Sequence, residues 1–232
     1  MVKGSTSLRQ EKDIIYYCDT GTVCGGASSM QVGKLEHYSY TEYDNFINAN
    51  DEEKSAWALK QNAKLLPAND NDYNGSCDIG STADWGNYFA HHTQNWKRTD
   101  LTSPENQSYA PSSDLTSEVS TSLSVSAPAG ISVSTSVDHP ELKRNVDYEP
   151  DEQVQAYYDF FDQSFGGGVY DAYDSDSQLG QASSWTTDRP SSGDRIAPSY
   201  LYAEFNGVEC DGAGRTTTDG DNLFLFFEYA DY

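Results

Sequence analysis

Val119-Ser120-Thr121-Ser122-Leu123-Ser124-Val125-Ser126, followed by Ala127-Pro128-Ala129-Gly130 and then Ile131-Ser132-Val133-Ser134-Thr135-Ser136-Val137, is the stretch that decides the fold class. Apolar residues or Thr hold the odd positions before the turn and Ser the even ones; afterwards Ile131, Val133, Thr135 and Val137 alternate with Ser132, Ser134 and Ser136. Successive side chains of a strand point to opposite faces, so period two on either side of a four-residue Pro/Gly turn predicts a β-hairpin. One face is apolar and the other hydroxylated, and the hairpin extends over about residues 115–138.

Further strands are predicted on both sides of it. Residues 13–17, 34–43, 85–96, 142–148, 200–205 and 223–229 carry dense aromatic or alternating apolar side chains, bounded by Gly, Pro, Asn and Asp. Residues 151–165 fit a helix face through Val154, Tyr157, Tyr158 and Phe161, but their aromatic density favours a strand. One helix is expected at about residues 52–66, where Trp57, Lys60/Gln61 and Lys64/Leu65 follow helical spacing, Asp51 offers a cap and Pro67 a stop. Gly166-Gly167-Gly168 reads as a turn and the Ser-, Asp- and Gln-rich run 171–194 as a long loop. The predicted architecture is mainly β: a single antiparallel sandwich or jelly-roll-like domain over residues 13–232, preceded by a flexible segment, 1–12. Phe224-Leu225-Phe226-Phe227 has apolar groups of both parities, which predicts a strand that is central in its sheet or donated to a neighbour.

Composition narrows the functional classes. The chain has 37 Asp+Glu against 14 Lys+Arg, a net charge of −23 over 232 residues. Such a surface repels itself unless salt screens it, and at molar salt the screening length falls to about 3 Å. The 17 Tyr, 9 Phe and 4 Trp supply the aromatic area that disordered acidic chains lack. A nucleic-acid partner is excluded, because the densest basic spots are only Lys97-Arg98 and Lys143-Arg144. The longest strongly apolar run, residues 223–227, is far short of a membrane-spanning helix. Met1-Val2-Lys3-Gly4-Ser5-Thr6-Ser7 has no apolar segment of a signal peptide, so export information is expected to have been removed or the protein to leave the cell in a particle.

Cys18, Cys24, Cys77 and Cys210 form an even set without CxxC spacing. Disulfides are the preferred reading, a local Cys18–Cys24 bridge leaving Cys77 to Cys210; four buried thiols are the alternative. Asp70-Asn71-Asp72-Tyr73-Asn74-Gly75-Ser76-Cys77-Asp78 places oxygen side chains of Asp70, Asp72, Asn74 and Asp78 at positions 1, 3, 5 and 9, with Gly75 at position 6. This resembles a calcium-binding loop of the EF-hand or dockerin type and implies a Ca²⁺ site, although position 12 is Ser81 rather than Glu. The competing reading is a solvated acidic loop.

Catalytic signatures are sparse. His91 and His92 are adjacent, so a strand sends them to opposite faces, and with His37 and His139 they read as structural or surface residues. No GxSxG elbow, HExxH or phosphate-binding glycine loop occurs. No catalytic residue is assigned. Trp85, Tyr88, Phe89 and Trp96 offer either core aromatics or a carbohydrate-stacking platform.

The Ser/Thr-alternating hairpin resembles the membrane-inserting segments of β-pore-forming toxins of the aerolysin and leukocidin kinds. That resemblance implies one face toward lipid and one lining water, with arms close to the 9–11 residues of a tilted spanning strand. In acidity, scarce lysine and Ser-rich strands the chain resembles exported proteins of haloarchaea or of their viruses. The expected function is a non-catalytic extracellular structural or binding protein adapted to high salt, at a cell surface, in an extracellular assembly or in a virion, with copies of itself or other surface proteins as partners. The alternatives are a secreted β-hairpin pore-forming protein, whose hairpin brings a membrane partner, and a secreted hydrolase.

Overall fold

Period two organises the chain well beyond the hairpin. The computed structural model describes residues 4–17, 29–68, 85–149, 152–160, 173–208 and 216–229. Its strands are β1 (Gly4–Tyr17), β2 (Ser29–Ile47), β3 (Glu53–Pro67), β4 (Gly86–Asn95), β5 (Glu105–Ala110) and β6 (Leu115–Ser126). They continue with β7 (Ser132–Glu149), β8 (Gln153–Asp159), β9 (Ser177–Asp188), β10 (Arg195–Val208) and β11 (Thr216–Glu228). Every pairing is antiparallel.

The strand order β1-β2-β3-β9-β7-β8-β4-β10-β11, with β5 added to β9 and β6 to β7, folds over into two packed sheets of one sandwich-like domain. The first sheet is β1-β2-β3-β9 with β5, and the second is β7-β8-β4-β10-β11 with β6. Among the described residues, Asp138 and Gln178 are the one pair that joins them through β7 and β9. Read along the strands, the interior has three zones. An apolar lobe at one end holds Leu35, Ala63, Leu65, Leu179, Leu201 and Phe205; at the other end lie Trp57, Leu59, Trp96, Trp185 and Phe227. Between them runs a buried polar belt of His37, Gln61, His92, Gln94, Gln181, Ser183 and Ser199. The belt is stitched by Gln61 donating to Gln181, Ser183 to Gln94 and Ser199 to Gln61, while Ser199 Oγ lies 2.9 Å from His37 Nε2. Its groups are desolvated, and these hydrogen bonds offset that cost for Gln61, Gln181, Ser183, Gln94 and Ser199.

The expected helix at 52–66 is a strand. In β3 the odd residues Trp57, Leu59, Gln61, Ala63 and Leu65 all face the sandwich interior, and Lys54, Lys60 and Lys64 fall among the even ones. Good helix formers (Ala, Leu, Lys) disguise a period-two pattern, and pairing with β2 and β9 along the whole strand overrides the local preference. The expected loop 171–194 likewise contains β9, which is buried along almost its entire length. The segment 1–12 is not loose from Gly4 onward, because Gly4–Lys12 pair with β2 from Tyr43 to Leu35. The 151–165 segment is a strand where described, and β4, β10 and β11 occupy their predicted places. β11 is an edge strand rather than a central one: Leu223, Leu225 and Phe227 are buried, while Phe224 and Phe226 are exposed on the outer face.

Candidate functional site

The β6–β7 ribbon is the part of the molecule that behaves least like the rest. Nineteen consecutive residues, 119–137, contain no charged side chain in a chain where 22% of residues are charged. The two arms pair rung by rung from Leu115↔Arg144 to Ser126↔Ser132. The turn closes with Ala127 N–H donating to Ile131 C=O at 2.9 Å, and Ala129 and Gly130 both adopt positive φ (63° and 72°). Glycine takes that conformation freely; Ala129 takes it at a cost, since its Cβ crowds the backbone there.

Side-chain direction follows the predicted alternation. Ser120, Ser122, Ser124, Ser126, Ser132, Ser134 and Ser136 are exposed, whereas Val125, Ala127, Ile131, Val133, Thr135 and Val137 are buried. The apolar face lies on a bed of small residues, Ala56 and Ala58 of β3 and Ala182 of β9, with Tyr40, Phe46 and Ala110 at its margins. These even-numbered residues point away from the sandwich interior, so β3 and β9 are covered on both faces, by the opposing sheet and by the ribbon. Close approach explains Gly180: a Cβ there would stand 2.7 Å from the Ser136 carbonyl oxygen and 3.1 Å from both Thr135 Cγ2 and Val137 Cγ1.

The ribbon and its bed share few polar links. Ser184 Oγ donates to the Ser126 carbonyl at 2.8 Å, Ser108 Oγ to the same oxygen at 3.4 Å, and Gln178 Nε2 to Ser136 Oγ at 3.2 Å. Beyond the Asp138↔Gln178 pair, no backbone ladder ties residues 119–137 to the first sheet among the described residues. The root is anchored differently. Residues 143–149 of β7 pair continuously with β8, Arg144 Nη2 donates to the Ser113 carbonyl at 3.1 Å, and Val146 N–H donates to Asp114 Oδ1 at 2.9 Å. The ribbon is thus a root in the sheet and a distal part held mainly by apolar packing.

The other residues singled out from sequence fall elsewhere. Cys18, Cys24, Cys77 and Cys210, and the calcium-loop residues Asp70, Asp72, Asn74 and Asp78, lie outside the described residues. His91 and His92 do point to opposite faces. His92 is buried against His37, ring centroids 5.9 Å apart, and neither of its nitrogens has a hydrogen-bond partner among the described residues. Burial holds both imidazoles below their usual range, His37 at about 4. Of the two readings of the aromatic segment, core holds for Trp85 and Trp96, which are fully buried and packed at 5.3 Å against Tyr16 and Trp185 respectively. The outward aromatics of this sheet are instead Phe89, His91, Tyr157, Tyr200 and Tyr202. Their signal in the sequence is the alternation Phe89/His91, Tyr157 beside buried Tyr158, and Tyr200/Tyr202, each a strand with one parity outward.

No family model matches the chain, and no curated protein matches its sequence. Among solved structures the chain is similar to one described as a pore forming protein, at 9% identity and a TM-score of 0.49, over 97% of this chain and 90% of that one. It is similar also to Clostridium perfringens delta-toxin, at 10% identity and a TM-score of 0.44, over 85% of this chain and 88% of that one.

Proposed function

We propose that this chain is a secreted, non-catalytic pore-forming protein in its water-soluble form, and that the β6–β7 hairpin is the segment that enters a bilayer. The observation that carries this reading is the uncharged ribbon whose apolar face rests on a bed without a backbone ladder. Transfer from that bed to lipid exchanges one apolar environment for another, while the serine face stays in water throughout. The 12 residues of β6, with Glu118 near the root and a charge-free part from Val119 to Ser126, approach the length that a tilted strand needs to cross the hydrocarbon core. A lone ribbon would leave unpaired backbone groups along its outer edges in lipid, so insertion requires copies of the chain to close a barrel. Self-assembly and membrane insertion are therefore one event. A role as a passive component of a cell surface or virion leaves the charge-free ribbon without a purpose.

Dye release from liposomes at micromolar protein tests the proposal. Val125→Asp places a carboxylate on the lipid-facing side of every subunit and abolishes leakage, with a cost that depends on its depth in the membrane. Ser124→Asp adds the same charge to the water-facing side, leaves the soluble fold intact, preserves leakage and makes the conductance more cation-selective. Absence of leakage from the unmodified protein, or loss of leakage in both variants alike, overturns it.

A further inference from the structure

We infer that the outer face of the second sheet carries a binding site for a carboxylated sugar of a surface glycan, formed around His91, Tyr200, Phe224 and Arg98. The site is distinct from the hairpin, and its existence does not depend on insertion. It is a cavity of about 280 Å³ between β8, β4, β10, β11 and the short 3₁₀ turn Trp96–Arg98 that follows β4. His91 stacks on Tyr157 at 4.7 Å with 14° between the planes, Tyr200 meets His91 edge-on at 5.7 Å, and Phe224 projects beside them, exposed. Flat rings next to amide and hydroxyl groups are what the C–H face and hydroxyl rim of a pyranose require. Thr93, Asn95, Gln153 and Gln155 supply the polar groups.

Charge selects among sugars. In a chain with 37 acidic and 14 basic residues, none of the residues lining this cavity is acidic, and one is Arg98. Neighbouring charges are engaged: Lys97 Nζ bonds Glu152 at 2.7 Å, Asp100 is gripped by Arg195 through Nε and Nη2, both at 3.1 Å, Asp221 pairs with Lys12, and Glu149 accepts from the lining Gln153 at 2.8 Å. Arg98 is exposed and makes no ion pair with a described residue. A guanidinium left open at the mouth of an aromatic cleft is suited to a carboxylate, which it grips with two parallel N–H donors. A neutral glycan would use the rings and leave that cation idle.

The test compares β-1,4-linked tetraglucuronate with cellotetraose, and sialyllactose with lactose, by isothermal titration calorimetry on the whole chain. Each acidic sugar is expected to bind about tenfold or more tightly than its neutral partner, the difference a charge-assisted contact supplies. Arg98→Gln, at an exposed position, is expected to erase that preference without changing the thermal midpoint; Tyr200→Ala is expected to weaken acidic and neutral sugars together. Binding of both members of each pair with equal affinity, or of neither, overturns the inference. So does a preference that survives Arg98→Gln, or a face found by sedimentation to be covered by a second copy of the chain.

Discussion

Lowering the pH from 8 to 5 should destabilise this fold through the buried imidazoles of the polar belt before its carboxylates begin to titrate. His37 is fully buried, and burial lowers its imidazole from 6.5 to about 4. Between those values the unfolded chain binds a proton that the folded chain refuses, so stability falls as pH falls and the full loss is reached below about 4. For His37 alone the linkage gives about 2 kcal/mol lost between pH 8 and pH 5. His92, lowered first by its burial and then by His37, acts in the same direction. The surface carboxylates held down by cationic partners, among them Glu11, Glu152 and Asp188, lose their contribution only below this window. Asp159 and Asp219, raised by burial, act in the opposite sense, so a subtraction is needed. His37→Gln keeps a partner for Ser199 Oγ and removes one titrating group. Urea unfolding at pH 8 and pH 5 should show a stability difference in the unmodified protein that is smaller by about 2 kcal/mol in the variant. Equal differences in the two proteins would show that His37 is not the desolvated base that the belt makes it.

Gly180→Ala forces a methyl against the Ser136 carbonyl, and should cost about 1–3 kcal/mol while exposing residues 127–131 to limited proteolysis; unchanged cleavage would mean that the ribbon does not rest there. Trp57→Ala removes a fully buried ring packed against Tyr43 at 5.1 Å and the Nε1–H that Thr187 Oγ1 accepts at 2.9 Å; a loss of about 3–5 kcal/mol is expected in urea titrations. Dialysis into nearly salt-free water should lower the melting temperature, because 23 net negative charges then repel unscreened; a constant midpoint would remove the argument for a saline habitat. Calcium titrated into chelator-treated protein at high salt should release or absorb heat if Asp70, Asp72, Asn74 and Asp78 form a site, and silence at millimolar metal ends that proposal.

The hairpin was legible because both of its faces are chemically pure: serine on one, small apolar residues on the other, with a turn between. β3 was not, because its outward residues include Ala56 and Ala58, which the ribbon buries, so the apolar pattern has both parities near Trp57 and mimics a helical stripe. β9 defeated the reading for the opposite reason. Beside Leu179, Ala182 and Trp185, its buried residues are Ser177, Gly180, Gln181, Ser183, Ser184, Thr186 and Thr187, polar or small types that ordinarily signal a loop. They are buried because the ribbon and the belt need close approach and hydrogen bonds there, a requirement set by partners far away in sequence. The aromatic cleft was missed in the same way: Tyr157 and Tyr200 lie 43 residues apart in the chain and converge on His91 only through the pairing of β8 and β10 with β4.

β7 is one continuous 18-residue strand, and its lower half shares rungs with β8 at Asn145↔Tyr157, Asp147↔Gln155 and Glu149↔Gln153. Two of the side chains that line the aromatic cleft, Gln153 and Gln155, therefore belong to the strand paired with the base of the ribbon. β7 thus joins the cleft wall and the ribbon within one strand, with no loop between the residues that pair with β8 and those that pair with β6.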